Sequence, residues 1–95
     1  MKNKLILEAQ VVGFVQRQPP ATRRRLRELL HAVENGRIFP EALDDELEGF
    51  YKLKMDRIRL ILQMDSSPAG PVMKVVFAER RRVVYQLFSQ ILSLE

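Results

Sequence analysis

Two neighbouring segments, residues 50–56 and 57–65, restrict the fold of this chain more than any other part of its sequence. Apolar residues recur at every second position in both, and Lys52, Lys54 and Arg59 stand between them. A period of two is typical of half-buried antiparallel strands joined by a tight turn. Because side chains two residues apart share a face, the hairpin is predicted to present an apolar face to a core and a cationic face to the other side.

The other segments predict helices and strands around this hairpin. In chain order they are a strand at 3–7, a helix at 9–17, a helix from Thr22 to a cap at Asn35-Gly36, an acidic loop at 37–49, a turn at 66–71, a strand at 72–78 and a helix from Val83 onward. The last strand is apolar on both faces, which indicates a central position. The sequence therefore predicts one α+β domain over residues 1–95, in the order β-α-α-β-β-β-α, with a helical hairpin and a C-terminal helix packed on one face of an antiparallel sheet.

The charge of the chain is unevenly distributed. Five of its twelve acidic residues lie at 41–48, so the rest carries 16 basic and 7 acidic side chains, a net charge of +9. Such a balance is compatible with nucleic-acid binding.

The apolar run at residues 5–7 is closed by Glu8 and is too short for a signal peptide or a membrane span, so a cytoplasmic protein is expected.

The sequence shows no conventional ribonuclease or metal site. The absence of cysteine excludes disulfides and cysteine-ligated zinc. His31 is the only histidine and is interpreted as a surface residue, and one histidine cannot supply a paired acid and base. The acidic residues at 41–48 are interpreted as a loop rather than a site. Neither a metal nor another cofactor is expected.

Three groups of cations are candidate phosphate-binding surfaces. They are Lys52, Lys54 and Arg59 on the hairpin; Arg80, Arg81 and Arg82, followed by Tyr85, after the last strand; and Arg23, Arg24, Arg25 and Arg27 at the start of the second helix. Cations held rigidly side by side repel one another unless an anion lies between them, and a tyrosine ring can stack on a base. For each group, a solvated surface without a ligand is the alternative.

These features resemble the RelE/ParE superfamily of bacterial toxins from type II toxin–antitoxin systems. The likeness lies in Leu-Glu-Gly-Phe-Tyr-Lys-Leu-Lys at 47–54, Ile-Arg-Leu-Ile-Leu at 58–62, and Val-Val-Phe-Ala-Glu-Arg-Arg-Arg-Val-Val-Tyr at 75–85. The family has there a Leu-x-Gly-aromatic-Tyr-x-apolar-basic strand, a Tyr-Arg-apolar-apolar-Tyr strand and a final Gly-His/Lys-Arg segment followed by a tyrosine. A proline between the two helices also fits. The resemblance spans most of the chain and implies a RelE-like fold.

The resemblance also implies a choice between two activities. The RelE-like branch cleaves mRNA in the ribosomal A site, and the ParE-like branch poisons DNA gyrase. RelE-like catalysis relies on a Lys-x-Lys strand, an arginine on the next strand, an arginine after the last strand and a tyrosine on the following helix. The residues at those positions are Lys52, Lys54, Arg59, Arg80 and Tyr85. This set favours the nuclease branch.

The sequence departs from the family pattern at two places. Ala78-Glu79 stands where Gly-His or Gly-Lys is usual, and Leu62 stands where the middle strand has its second tyrosine. Arg81 can take the role of Arg80 if the register differs by one residue.

The implied reaction is attack of the RNA 2′-OH on the adjacent phosphorus, without a metal. In that mechanism Lys52 or Lys54 is the base or a transition-state clamp, Arg59 neutralises the phosphorane, Arg80 stabilises the leaving group and Tyr85 orients the nucleotide. The arginines expected to bind RNA or the ribosome are Arg23, Arg24, Arg25, Arg27, Arg57, Arg81 and Arg82.

The implied partners are the ribosome with its mRNA and a cognate antitoxin, which would form a hetero-oligomer with the toxin. The antitoxin is expected to place an acidic segment over the basic surface and to cover or displace the last helix, residues 83–94. Two alternatives remain. One is a gyrase-poisoning toxin without catalysis, and the other is a non-toxic member of the superfamily that binds only its antitoxin or an operator.

Overall fold

Residues 4–94, which the computed structural model describes, form five strands, three α-helices and one 3-10 turn. In chain order they are β1 (Lys4–Leu7), α1 (Ala9–Gln16), α2 (Pro20–Glu34), β2 (Glu41–Ala42), the 3-10 turn (Asp45–Leu47), β3 (Phe50–Met55), β4 (Ile58–Ser67), β5 (Gly70–Arg80) and α3 (Val84–Ser93). The predicted α+β class is confirmed, and the element order matches the prediction apart from the additional strand β2. Asn3, predicted as the start of the first strand, lies outside the described residues.

The strands form one sheet in the order β1-β5-β4-β3-β2. β5 lies inside the sheet, as its apolar sequence predicts. The sheet differs from the predicted antiparallel one at β1, which pairs with β5 in parallel. This arrangement sets Leu5 beside Met73 and Leu7 beside Val75, so that both leucines join the core built by β5.

The hairpin of β3 and β4 has the predicted position. Lys54 pairs with Arg59 and Met55 with Ile58, which leaves a two-residue turn. Its first residue, Asp56, has a φ of 53°, a left-handed conformation that aspartate tolerates better than most residues.

The next turn is shorter than the predicted turn at 66–71. β4 continues to Ser67 and β5 begins at Gly70. The left-handed φ of 125° at Gly70 reverses the chain within two residues, and the Ser67 hydroxyl donates a 2.9 Å hydrogen bond to the Gly70 carbonyl.

Two separate cores lie on opposite faces of the sheet. On the α1/α2 face, the helices bury residues such as Phe14 and Leu26 against the strands. On the α3 face, Val84 and Phe88 of α3 pack against Ile61 and Phe77. The sequence predicted the C-terminal helix on the same face as the helical hairpin of α1 and α2, and this prediction was wrong.

The placement of α3 depends on an irregularity in the central strands. The pairing of β4 with β5 shifts by one residue between Ile61 and Leu62, because Ile61 is opposite Phe77 and Leu62 is opposite Val75. This bulge turns Phe77 to the α3 face while Val75 stays on the other.

Two further boundaries differ from the prediction. Helix α2 begins at Pro20 rather than at a Thr22 cap, because proline at the first helical position has a suitable φ and needs no hydrogen-bond acceptor. The acidic loop contains β2 and the 3-10 turn. The end of α2 at Asn35 and Gly36 is confirmed, with a φ of 75° at the glycine.

None of the described helices is long and apolar enough to span a membrane.

Candidate nucleic-acid interface

Three of the predicted cations form one group on the α3 face, here called the lysine–arginine cluster: Lys52, Lys54 and Arg59. Lys52 is opposite Ile61 and Lys54 is opposite Arg59, so all three share a face with the core residue Ile61. The side chains of Lys52 and Lys54 are 26% and 48% exposed, so a ligand can reach them. The predicted cationic face of the hairpin is therefore present in the fold.

A carboxylate that the sequence did not single out lies within this cluster. Glu41 of β2 pairs across the sheet with Lys52. Its Oε2 is 3.9 Å from the Lys52 Nζ, and its Oε1 is 3.5 Å from the Lys54 Nζ. Glu41 thus supplies negative charge between the two lysines, which reduces the repulsion that by itself favoured a bound phosphate.

The guanidinium of Arg59 is fixed toward the hairpin turn. Its Nη1 donates to the carbonyl oxygens of Asp56 at 2.8 Å and of Ile58 at 2.9 Å. Glu79 is opposite Arg59 on β5, but its Oε1 accepts a 3.1 Å hydrogen bond from the backbone N–H of Arg80. The cluster therefore extends along β3 and β4 to the turn end of the sheet.

A second cationic site lies at that same end, here called the arginine cavity. It has a volume of about 300 Å³ and is lined by Arg57, Arg80, Arg81 and Arg82. Within residues 4–94, no carboxylate forms an ion pair with any of these four side chains. Four guanidinium groups around one concavity produce a strongly positive potential, and guanidinium groups suit the oxygens of a phosphate.

Arg80 and the lysine–arginine cluster belong to opposite faces of the sheet. Arg80 is opposite Ile58, which faces the core of α1 and α2. It also lines a neighbouring cavity of about 300 Å³ with Gln18 and Thr22. The predicted catalytic residues therefore lie on more than one face of the sheet, although Arg59 and Arg80 lie at the same end of adjacent strands.

Arg81 continues the ladder one residue beyond β5. Its backbone N–H donates a 2.8 Å hydrogen bond to the Arg57 carbonyl. Because side chains alternate along a strand, this register directs Arg81 to the face of Glu79 and Arg59 rather than to that of Arg80.

Tyr85 is half-buried on α3 and packs at the border of the second core. It lines a cavity of about 500 Å³ together with the acidic residues Asp44, Asp45 and Glu46. Its surroundings are therefore anionic, and among the described contacts none joins its ring to the lysine–arginine cluster. Its role in positioning a nucleotide stays a prediction.

The arginines at the start of α2 have different environments. Arg25 donates a hydrogen bond to the Asp56 carboxylate at the hairpin turn, and this bond raises the pKa of Arg25 above its already high ordinary value. Arg24 and Arg27 are exposed, whereas the Nε of Arg23 is buried without a hydrogen-bond partner. Arg25 thus links α2 to the β3–β4 hairpin. RNA contacts by all four of these arginines stay predictions.

His31 and the acidic side chains are the other groups that could ligate a metal. His31 is exposed on α2, with its Nδ1 3.6 Å from a Glu34 carboxylate oxygen, so its interpretation as a surface residue is confirmed. Across residues 4–94, no three histidine or acidic side chains are grouped closely enough to hold a metal ion.

Comparison with known proteins gives structural but no sequence matches: no family model and no curated protein matches the chain. The RelBE2 toxin–antitoxin complex of Mycobacterium tuberculosis contains a similar chain, with a TM-score of 0.71 and 13% identity, covering 85% of this chain and 100% of that one. The archaeal RelE–RelB complex of Pyrococcus horikoshii gives a TM-score of 0.62 at 20% identity, over 85% and 97%.

The isolated RelE toxin of E. coli aligns over almost the whole of both chains, 98% of this one and 99% of that one. Its TM-score is 0.59 and its identity 15%. The same fold occurs in the YoeB/ParE toxin of Agrobacterium tumefaciens, with a TM-score of 0.60 at 16% identity over 81% and 97%. At these identities the likeness concerns the backbone arrangement. The chain therefore has the fold of the RelE/ParE toxins.

Proposed function

We propose that this protein is the toxin of a type II toxin–antitoxin system and that it cleaves mRNA on the ribosome. The observation that carries the proposal is the position of the lysine–arginine cluster next to the arginine cavity, at one end of a sheet with the RelE fold. Both sites are exposed and cationic. They suit a single RNA strand whose successive phosphates lie along the end of the sheet.

The proposed reaction is an internal transesterification. The 2′ oxygen of the RNA bonds to the adjacent phosphorus while the bond from phosphorus to the 5′ oxygen breaks. The products are a 2′,3′-cyclic phosphate and a 5′-OH, so the 2′-OH loses one proton and the 5′ oxygen gains one. Fixed cations stabilise the negative charge that develops on the phosphorane.

The residues divide into roles according to where they lie. Lys52, Lys54 and Arg59 hold the scissile phosphate on the α3 face, where they act as a transition-state clamp. Arg81 is directed to that face and stabilises the leaving oxygen, while Arg80 binds a neighbouring phosphate from the other side of the arginine cavity. The hydrogen bonds of Arg59 to the turn carbonyls keep its charge in place before RNA arrives.

The ribosome supplies what this small site lacks. Arginine and lysine side chains stabilise charge but do not bend the RNA, and in-line attack requires a specific geometry at phosphorus. A ribosome-held mRNA meets that requirement. The protein therefore acts in the cytoplasm on translated mRNA, and a cognate antitoxin, as in the toxin–antitoxin complexes of similar fold, keeps it inactive until released.

Primer extension on mRNA from cells that express the protein tests the proposal. We expect internal 5′ ends within translated codons soon after induction, together with arrested growth. Lys54→Ala should abolish these ends. Lys74→Ala removes a lysine paired with Asp65 at 3.2 Å elsewhere in the sheet and should preserve them.

Two other results would contradict the nuclease proposal. DNA breaks and an SOS response with intact mRNA would instead identify a gyrase-directed toxin, the activity of the ParE-like branch. Normal growth on expression would identify a protein that binds only its antitoxin or operator.

A further inference from the structure

Two cavities lie side by side at the turn end of the sheet, and only the arginine cavity takes part in the proposed reaction. Its neighbour, here called the mixed cavity, is lined by Gln18, Thr22 and Asp56 beside Arg57 and Arg80. The mixed cavity also has a volume of about 300 Å³. Because Arg57 and Arg80 line both cavities, a ligand of moderate size can occupy the two at once.

The arginine cavity holds more positive charge than one RNA phosphate can balance. A phosphodiester carries a single negative charge, whereas the cavity has four guanidinium groups, none of them in an ion pair with a carboxylate of residues 4–94. Successive phosphates of RNA are separated by a ribose, but those of a polyphosphate chain are linked directly and concentrate their charge. A triphosphate, with about three to four negative charges at neutral pH, therefore matches this cavity better than an RNA backbone does.

The mixed cavity has the composition of a nucleobase site. The buried side chains of Met55 and Ile58 give it an apolar surface. Thr22 contributes a hydroxyl and Gln18 an amide, whose Nε2 donates to the Phe14 carbonyl at 3.1 Å and whose Oε1 remains as an acceptor. An apolar surface with a few polar groups at its edge binds a planar base by contact and by hydrogen bonds.

Asp56 is the only carboxylate of residues 4–94 that lines either of these two cavities, and it belongs to the mixed one. Its Oδ2 accepts a hydrogen bond from Arg25, which balances its charge and weakens its repulsion of a nearby phosphate. Its Oδ1 can accept a hydrogen bond from an exocyclic amino group. Guanine, adenine and cytosine carry such a group, whereas uracil presents a carbonyl in its place.

We propose that the two cavities together bind a free nucleoside triphosphate, with its phosphates in the arginine cavity and its base in the mixed cavity. Arg57 and Arg80, at the boundary, contact the phosphate nearest the ribose. The mixed cavity lies on the α1/α2 face, because Met55 and Ile58 belong to the core of that face. An RNA strand held by the lysine–arginine cluster must bend around the end of the sheet to place a base there, whereas a mononucleotide spans the adjoining cavities directly.

The bound nucleotide also regulates the proposed nuclease. It occupies the arginine cavity and competes with RNA for Arg80 and Arg81. This consequence rests on the proposed function, whereas nucleotide binding itself does not.

Titration calorimetry of the purified protein without ribosomes tests the site. The probes are GTP, GMP, UTP and inorganic tripolyphosphate, in buffer without magnesium so that the phosphates keep their full charge. We expect GTP to bind about tenfold tighter than GMP, because GMP leaves guanidinium groups of the arginine cavity unpaired. GTP should bind about fivefold tighter than UTP, which has the same charge but no amino group for Asp56.

Two substitutions separate the two halves of the site. Thr22→Phe fills the mixed cavity and should weaken GTP about tenfold while leaving tripolyphosphate unchanged, which also shows that the variant is folded. Arg82 lines the arginine cavity but not the mixed one, so Arg82→Ala should weaken both ligands about tenfold. The matched control is Lys74→Ala, which removes a lysine paired with Asp65 and should change neither affinity.

Competition between ligands tests the regulatory part. Saturating GTP should raise the apparent dissociation constant of a short single-stranded RNA for the wild-type protein by about tenfold or more, as measured by fluorescence anisotropy. GTP binding without this effect would overturn the regulation.

Three results would overturn the nucleotide site. Absence of GTP binding up to about 1 mM would leave both cavities without a nucleotide. Equal affinities for GTP and UTP that Thr22→Phe does not change would reduce the site to phosphate binding. Weakening of RNA but not of GTP by Thr22→Phe would assign the mixed cavity to a base of the RNA. Absence of mRNA cleavage by the wild-type protein would instead overturn the proposed function, because none of these affinities depends on cleavage.

Discussion

Arg80 is the last residue of β5 and Arg81 the first after it, and the continued pairing with β4 indicates that their side chains leave opposite faces of the sheet. Arg80 is paired with Ile58 and lies on the α1/α2 face, whereas the hydrogen bond from the Arg81 N–H to the Arg57 carbonyl continues the register past the strand. The resemblance to RelE implied Arg80 as the arginine after the last strand and kept Arg81 as its substitute. The register favours Arg81 as the arginine that can reach a phosphate held by Lys54 and Arg59.

Paired alanine variants separate these two arginines. Arg81→Ala should lower the single-turnover cleavage rate on ribosomes by about 100- to 1000-fold, the usual loss when one fixed charge stabiliser is removed. Arg80→Ala should weaken RNA binding and lower the rate at saturation less than tenfold. The opposite ranking of the two rates would return the role to Arg80.

Glu41 marks the limit of what the sequence predicts about single residues. Lys52, Lys54 and Arg59 could be grouped from the sequence because a strand period and a short turn fix their relation. Glu41 could not, since eleven positions separate it from Lys52 and the strand that carries it has two residues, too few to show any period. The ion pairs of Glu41 with Lys52 and Lys54 form only because the loop after α2 folds back onto the edge of the sheet. Such a long-range contact has no local sequence pattern.

At the scale of elements, α3 is the part that the sequence predicted least completely. Its helical spacing and its first buried residue, Val84, follow from the pattern of apolar side chains. The face on which it packs does not, because a bulge between Ile61 and Leu62 decides which side of β5 carries Phe77. A bulge of this kind has no reliable sequence signal, whereas the β-hairpin was predictable because pattern and turn agree.

The attachment of α3 depends on Phe88, which is 4% exposed. Its ring is 5.0 Å from that of Phe50 in an edge-to-face arrangement and 5.7 Å from that of Phe77. Phe88→Ala should therefore lower the free energy of unfolding by about 3–5 kcal/mol in urea denaturation. Leu87→Ala, at a neighbouring position that is 37% exposed, should change it by less than about 1 kcal/mol. Equal effects of the two substitutions would mean that α3 is not held by its buried face.

At the scale of the whole molecule, the charges are separated between two regions. The acidic residues Asp44, Asp45 and Glu46 line one cavity with Tyr85 of α3, and the arginine cavity lies at the turn end of the sheet. The sequence predicted this separation from the acidic run at 41–48. For RNA, the proposed ligand, this separation favours approach to the arginine cavity over approach to the acidic side.

This separation predicts how RNA binding depends on salt. Each phosphate that a cation neutralises on a single strand contributes about −0.7 to the slope of log K against log salt concentration. With three or four such contacts, the slope should be roughly −2 to −3, a loss of about 20- to 50-fold in affinity between 50 and 200 mM salt. Binding of a short single-stranded RNA by fluorescence anisotropy over this range measures it.

Two lysine variants assign that slope to the proposed surface. Lys54→Ala should make the slope shallower by about 0.7, the share of one phosphate contact. Lys74→Ala should leave it nearly unchanged, because the Lys74 ammonium is paired with Asp65 and lies outside the lysine–arginine cluster. Equal changes of the slope for the two lysines would show that RNA is attracted to the whole basic exterior. The turn end of the sheet would then not be the RNA-binding surface.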